Sequence, residues 1–293
     1  IIWIRELGRL GATQYEVGYA TELRGGLALT VALFSKDQQG LSGVQRGGVD
    51  PQGTSVFDVG TTYGSGLLNY SVIVNQDFQT VRGFEIGLRR RIRNFWGFNL
   101  NYSYSQATTN SPPPDLAFQV EREEGDPLSR EEIRSEIDQP HVFNASVTFQ
   151  AGREAPSIPL GQLLRNSSAS VTLRANSGLP YTPSLSFSGF GDNQLERNSG
   201  RAPSRLQVDF QTTKDFRVGN LLYGAFVRVT NVLDAKNCVQ VFATTGRCDS
   251  GTIDQSRARQ GNPVGEGEVS TFFNRAQYFG DRRAVNAGLR VSF

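Results

Sequence analysis

The chain has 293 residues, 38% hydrophobic and 20% charged, with a formal net charge of +2 and a mean hydropathy of −0.36. So small a charge gives no reason to expect nucleic acid, and no apolar run approaches the ~18–20 residues of a transmembrane helix. Neither value excludes a membrane β-barrel, whose strands need only ~9–11 residues with every second one apolar.

The chain opens "IIWIRELG", without methionine and without the basic n-region or cleavage site of a signal peptide. It is expected to be an interior or C-terminal piece of a longer product. A series of alternating segments follows. "YEVGY" is loose, but "LALTVALF" places Leu27, Leu29, Val31 and Leu33 on one face. "GFEIGLRR" sets Phe84, Ile86 and Leu88 against Glu85, Gly87 and Arg89. "FNLNYSYS" sets Phe98, Leu100, Tyr102 and Tyr104 against Asn99, Asn101, Ser103 and Ser105. "VFNASVTFQ", "SSASVTLRA" and "RLQVDFQTT" repeat the pattern, with Val147, Val171 and Val208 on their apolar sides. "YGAFVRVTN" is irregular, since Phe226 falls among Gly224, Arg228 and Thr230. The terminal "AVNAGLRVSF" alternates Val285, Ala287, Leu289, Val291 and Phe293 with small or polar residues. Strand side chains change face at every residue, so each segment reads as a half-buried strand.

The connections alternate in length. Short ones are 22–26, 90–96 and 215–220, with a medium one at 151–166; long ones are about 35–67, 106–138, 177–203 and 233–281. Short turns at one end and long loops at the other are the pattern of an outer-membrane barrel. Aromatics at Phe95, Trp96, Phe98 and Phe216 mark one rim, and Tyr102 and Tyr104 mark the other. The count is about nine membrane strands. Bacterial single-chain barrels close with even counts, so an odd number again points to a partial barrel.

No segment assembles a catalytic constellation. His141 is the only histidine, and in "DQPHVFN" it reads as an interfacial or loop hydrogen-bonding group. Glu121, Glu123, Glu124 and Asp126 read as a solvated acidic loop without EF-hand spacing. "GSGLLN" lacks the third glycine of a dinucleotide fingerprint. Asn101 and Asn144 match a glycosylation pattern but fall inside strands. "SREEIRSEI" (129–137) has capping-box spacing between Ser129 and Glu132, which predicts a short helix in a long loop. Cys238 and Cys248 can close a short loop as a disulfide in an oxidising compartment, or stand as two free thiols. No metal site or cofactor is expected.

In order along the chain, several pieces resemble the barrel of TonB-dependent outer-membrane receptors. They are "YEVGYATEL", "LALTVALFSKD", "VRGFEIGLRRRI", "DQPHVFNASVTFQ", "NSGLPYTP", "GRAPSRLQVDFQTTKDFRVG", "AFVRVTNVLDAKN" and the terminal "GLRVSF". "SGLPYTP" and the cysteine-bearing last loop resemble the large receptors with an N-terminal carboxypeptidase-regulatory-like domain. The resemblance implies an all-β, membrane-spanning antiparallel barrel of about 22 strands, of which residues 1–293 supply the C-terminal part, without the plug. It implies TonB-energised uptake of a siderophore, cobalamin, glycan or peptide across the outer membrane of a Gram-negative bacterium, and no enzyme activity. It further implies a plug and a TonB complex as partners, outer-membrane lipid, an extracellular solute and the barrel-assembly machinery. For that machinery, Val285, Leu289, Val291 and Phe293 resemble the C-terminal assembly signal.

Within such a barrel, Glu85, Arg89, Asn99, Asn101, Arg174, Gln207, Asp209, Arg228 and Arg290 are expected to face the lumen. Arginine on the lipid face at mid-membrane costs ~2–4 kcal/mol, and a polar lumen removes that cost. Two other readings remain at this level. One is a passive or structural barrel, such as a porin or adhesin anchor. The other is a soluble all-β binding protein whose apolar faces pack on one another.

Overall fold

The computed structural model describes residues 2–4, 10–49, 55–56, 69–111, 131–154, 156–157, 161–184, 196–219, 221–249 and 275–292. Its strands, in chain order, are β1 (Ile2–Ile4), β2 (Gly11–Leu23), β3 (Leu27–Val49), β4 (Ser55–Val56), β5 (Asn69–Arg93), β6 (Trp96–Thr109) and β7 (Ile133–Arg134). They continue with β8 (His141–Ala151), β9 (Ser167–Asn176), β10 (Pro180–Tyr181), β11 (Gly200–Arg201), β12 (Arg205–Val218), β13 (Leu221–Thr230) and β14 (Ala284–Ser292). Short 3-10 turns occupy Gly161–Leu164 and Ala276–Tyr278.

Nine strands form one path of neighbours, β14-β13-β12-β9-β8-β6-β5-β3-β2, joined by β1, β4 and β7 at its margins. β1 is the exception in direction, pairing parallel to β5 at Ser71–Ile73. The register carries the sequence alternation across the sheet. Trp96, Phe98 and Leu100 stand opposite Phe149, Val147 and Ala145, which stand opposite Ala169, Val171 and Leu173. Val171 and Leu173 then meet Phe210 and Val208, and Val229, Val227 and Ala225 meet Val285, Ala287 and Leu289. One face is therefore apolar from strand to strand.

That face is open. Among the described residues the buried apolar set is only Ala107, Ala151, Cys238, Phe242 and Cys248, whereas Leu289 is 73% exposed and Val147 47%. A sheet of this size with so little interior has its apolar surface facing something other than itself.

The irregular Phe226 belongs to the polar face and lies opposite Gly288. A Cβ on Gly288 would stand 2.7 Å from the Phe226 ring, so the missing side chain is what accommodates the aromatic. The β5–β6 hairpin turns on two residues, Asn94 and Phe95, with φ of 52° and 72°. Both are left-handed, as the tightest hairpins require.

Several boundaries differ from those read in the sequence. The loop expected from residue 35 is strand as far as Val49, and the loop expected from 106 is strand as far as Thr109. The sequence there is rich in polar residues and glycine, but backbone pairing needs only N–H and C=O groups and no apolar side chains. The turns at 22–26, 90–96 and 215–220 are correspondingly tighter, because Arg90–Arg93 and 215–218 are still paired strand. The helix expected over 129–137 is absent from its described part. Ile133–Arg134 pairs with Thr108–Thr109, and the Ser135 amide donates to the Ala107 carbonyl at 2.9 Å. A single capped turn is a weak nucleus, and the open edge of β6 outcompetes it. Ser129, the acidic residues 121–126 and "GSGLLN" (64–69) up to residue 68 lie outside the described residues, as does Phe293.

Two compact units are distinguished. One comprises Ile1–Glu16, Phe34–Arg82 and Gln106–Ser135; the other comprises Val17–Leu33, Gly83–Ser105 and Glu136–Phe293. The first is held by polar contacts, including Thr80 Oγ1 to Asp37 Oδ1 at 2.9 Å and the Phe78 amide to Asn110 Oδ1 at 2.8 Å. The second contains the two-faced sheet and all the short turns.

At Gly97 a Cβ would stand 2.8 Å from the Arg90 carbonyl oxygen and 2.9 Å from the Ile92 nitrogen. Gly97→Val is expected to destabilise the β5–β6 hairpin by about 1–3 kcal/mol. Ser103→Val, on the same face of β6, should stay within about 0.5 kcal/mol of the parent. Urea unfolding midpoints of the two variants check this.

Candidate functional site

The polar face of the second unit is built in rows. Asn101, Asn144, Arg174 and Gln207 stand side by side on β6, β8, β9 and β12. Asn99, Ser146, Thr172 and Asp209 form the next row. Arg228 lies opposite Gln211 and Asn286, and Arg290 lies opposite Gly224. Thus Asn99, Asn101, Arg174, Gln207, Asp209, Arg228 and Arg290 share one face through the ladder. Glu85 joins them through a cleft of about 330 Å³, which it lines with Thr30, Gly87, Asn101, Ser103 and Asn144. Arg89 has the same strand parity as Glu85.

Two ion pairs lie on this face. Arg174 Nη1 lies 3.2 Å from Asp209 Oδ2, and Gln207 Nε2 donates to Asp209 Oδ1 at 2.9 Å. Arg290 lies 3.9 Å from Asp215, above Gly224. A Cβ on Gly224 would stand 2.9 Å from Asp215 Oδ1, so glycine there leaves the pair its space. Such a surface can hydrogen-bond a polar solute or another protein segment. Among the described residues no group of three or more His, Cys, Asp or Glu is placed to hold a metal ion.

At the long-loop end two fasteners brace the loops. The first joins "DQPH", "SGLPY" and "GRAP". Arg201 donates to Asp138 Oδ2 at 2.6 Å, to the Asp138 carbonyl at 3.0 Å and to the Gly178 carbonyl at 2.9 Å. The Asp138 side chain is only 4% exposed. Ser177 Oγ accepts from the His141 amide at 2.9 Å, and the Ser177 amide donates back to the His141 carbonyl at 2.8 Å. Gly178 packs directly on the Ala202 carbonyl and has no room for a side chain. His141 Nδ1 shares a 2.8 Å hydrogen bond with the Tyr102 hydroxyl, and its ring packs at 5.2 Å from Tyr104.

The second fastener centres on Asn231, which is 1% exposed and left-handed at φ 53°. Its amide donates to Asp209 Oδ1 at 2.9 Å, and its side chain bonds both Ala235 N–H and C=O and the Asp281 carbonyl. One residue thereby ties the polar face, through its backbone N–H, to both ends of the last loop, through its side chain. Asp234 receives a bidentate Arg282 guanidinium at 2.9 and 2.6 Å and the Arg283 amide at 3.0 Å. The Arg282 hydrogen bond, and then that amide, hold the Asp234 carboxyl far below its ordinary range. Farther out, Cys238 and Cys248 are joined as a disulfide with Cα atoms 5.5 Å apart. The Phe242 ring in that hairpin packs 4.8 Å from Tyr278. Tyr181 reaches the same hairpin, where Gly246 leaves space for its hydroxyl, and the Ser184 amide donates to Ala243 at 3.0 Å. Arg247 lowers the Asp249 carboxyl through a hydrogen bond, and burial pushes the Arg197 guanidinium down against the opposing pull of Glu136.

Sequence reasoning singled out Asp209 but not its junction role, and it missed Asp138, Arg201, Asn231 and Asp234. Asp138 and Arg201 are separated by 63 positions, so no local pattern links them. Asn231 and Asp234 carried one legible signal, since Asn and Asp adopt left-handed backbone most readily after glycine. Val285, Leu289 and Val291 lie together on the apolar face of β14.

An antiparallel sheet with one open apolar face, one polar face, short turns at one end and braced loops at the other defines a membrane β-barrel class. The family model described as "TonB dependent receptor-like, beta-barrel" matches residues 11–290, and the chain belongs to that family. No curated protein matches the chain. Among solved structures it is similar to the ferric-catecholate import receptor Fiu of E. coli K12, at 15% identity over 81% of this chain and 25% of that one, with a TM-score of 0.42. It is similar to the copper transporter OprC, at 11% identity over 98% of this chain and 31% of that one, TM-score 0.44. It is also similar to the outer-membrane transporter YddB of Escherichia coli, at 12% identity over 80% of this chain and 30% of that one, TM-score 0.46. The chain thus spans between a quarter and a third of the length of these proteins.

Arg201→Met would leave the Asp138 carboxylate buried without its guanidinium. It is expected to cost about 3–5 kcal/mol, and Arg201→Lys less, because one ammonium replaces a fork that reaches three acceptors; equilibrium unfolding in denaturant measures both. The Asp234 contact has a defined pH dependence. A carboxyl lowered in the folded state contributes stability that is full above its unfolded value, about 3.9, and is lost as pH falls towards the folded value. Arg282→Gln should return the Asp234 titration towards that ordinary range, which carbon NMR of its carboxyl follows directly.

Proposed function

We propose that this chain forms the C-terminal part of the barrel of an outer-membrane receptor in a Gram-negative bacterium, importing a scarce or bulky solute with energy delivered through TonB. The observation that carries this reading is the match to the TonB-dependent receptor barrel over residues 11–290, laid on a sheet whose apolar face is open on strand after strand. The apolar face meets lipid. The polar face bearing Glu85, Arg89, Asn99, Asn101, Arg174, Gln207, Asp209, Arg228 and Arg290 faces the lumen. There, paired charges and amides offer hydrogen bonds to a plug and to passing solute. The short turns face the periplasm and the braced loops face outward, where the Cys238–Cys248 bond is chemically stable. Val285, Leu289, Val291 and Phe293 serve as the assembly signal of the last strand. The solute is a siderophore, cobalamin, glycan or peptide, and the chemistry is carriage rather than catalysis.

Two neighbouring residues of β8 test the orientation. Val147→Arg places a guanidinium in lipid at an expected cost of about 2–4 kcal/mol near mid-membrane, with loss of outer-membrane insertion. Ser146→Arg points the same group into the lumen and should insert normally. Heat-modifiable migration of outer-membrane fractions reads both. Normal insertion of Val147→Arg together with failure of Ser146→Arg would sink the reading, and in a water-soluble protein whose apolar faces pack on one another Val147→Arg would unfold the chain in water. TonB dependence is checked by solute uptake of the intact receptor in cells with and without TonB.

A further inference from the structure

The short-turn end of the second unit concentrates positive charge. Residues 22–26, 90–96, 152–166 and 214–220 hold eight cations (Arg24, Arg90, Arg91, Arg93, Arg153, Arg165, Lys214 and Arg217) against three carboxylates. The whole chain is only +2, so the remainder is net acidic. The apolar face at this end is aromatic. Trp96 stacks on Phe98 at 5.9 Å, Phe95 packs 6.4 Å from Phe149, and Phe216 stacks on Tyr223 at 5.5 Å.

One of the cations belongs to that aromatic face. Arg90 shares strand parity with Phe84, Ile86 and Leu88, and its guanidinium carbon lies 3.9 Å over the Trp96 ring. Among the described residues no carboxylate lies within ion-pair distance of it. The other basic side chain on this face at the same end, Lys214, already donates to the carbonyls of Leu163 and Arg165. A stacked guanidinium is held by its plane and keeps its N–H edges available, in a fork that matches a phosphate. An arginine on the lipid face near the interface costs only ~0–1 kcal/mol, against ~2–4 at mid-membrane. Arg90 therefore sits where a cation is tolerated in front of lipid, four positions before the turn residue Asn94, on an indole that fixes its plane.

We infer that Arg90, seated on Trp96, binds the headgroup phosphate of an anionic phospholipid in the leaflet that faces the short turns. This rests on the barrel reading proposed above. Charge complementarity selects an anionic lipid: the surrounding cations raise the local potential, and a zwitterionic headgroup gains less from it. Trp96 is the platform, and Arg90 supplies the paired donors.

The test uses the intact receptor containing this chain, in dodecyl maltoside micelles. Phosphatidylglycerol, phosphatidylethanolamine and inorganic phosphate are titrated separately and bound species are counted by native mass spectrometry. Phosphatidylglycerol is expected to be retained about fivefold more tightly than phosphatidylethanolamine, the scale of one cation near an anionic surface. Arg90→Gln should erase that preference, Trp96→Ala should weaken it, and Arg90→Lys should restore part of it. Arg91→Gln, one residue on and facing the other side, removes a cation from the rim but not from the site, and should lower the preference far less than Arg90→Gln. Unaltered phosphatidylglycerol retention in Arg90→Gln overturns the site, as does equal retention of the two lipids by the parent. Full displacement of the lipid by millimolar inorganic phosphate also overturns it, by making it a free-anion site. Each sample is checked for heat-modifiable migration. Its loss in the parent refutes the barrel reading and the lipid site together, whereas its retention confines a negative result to the lipid site.

Discussion

The structure depends on the register of one antiparallel ladder. Side chains alternate with period two, so a slip by one residue would exchange the two faces along a whole strand. Here the cross-strand partners keep Val147 with Val171 and Phe98, and Asn144 with Arg174 and Asn101. Slipping β9 by one position would put Arg174 among the apolar residues and Val171 among the polar ones. A guanidinium among apolar side chains is costly wherever water is excluded, so the two-faced pattern itself favours the observed pairing. Glycine serves the same register where bulky partners fall opposite one another, under Phe226 at Gly288 and beneath the Asp215–Arg290 pair at Gly224.

Strand interiors were legible because each had to satisfy two solvents. "FNLNYSYS" and "SSASVTLRA" alternate strictly since one face is apolar and the other polar, and the nine strands expected are the nine on the path. Legibility ends where that demand ends. Residues 35–49 are rich in Gly, Ser, Gln and charge, yet they pair, because a ladder needs only backbone groups. The misread helix at 131–137 has the same origin: its weak local signal lost to pairing with Thr108 and Thr109, a partner the sequence does not announce. The loop fasteners were hidden for a related reason. Arg201 and Asp138 are ordinary loop residues until folding brings them together, and nothing in "GRAP" or "DQPH" alone marks them as partners.

The fasteners also explain how long loops coexist with an ordered rim. A loop beyond ~12–15 residues with no structure of its own is uncommon in compact domains. Here the described bases of the loops are pinned by side chains that take over backbone hydrogen bonds. Asn231 supplies three of them and Asn237 two more, the latter to Leu206 at 2.9 and 2.8 Å. Fixing the bases in this way keeps the ends of the strands in register however long the connection between them.

The two ends of the sheet solve different problems. At the long-loop end Asp138, Asp234 and Asp249 each meet an arginine at 2.6–2.8 Å, so charge is spent internally on fastening loops. At the short-turn end the β5–β6 hairpin closes on two residues and the β2–β3 hairpin on three, turns too tight to need such fastening, and their cations are not consumed by carboxylates in the same way. Arg90 lies on an indole instead of an acid, and Lys214 on carbonyls. Positive charge therefore remains presented outward at that rim, beside the aromatic residues that seat a barrel at the boundary of a membrane. The asymmetry follows from connection length. Long loops must use their charges to hold themselves in place, whereas tight turns leave theirs available for whatever surrounds the barrel.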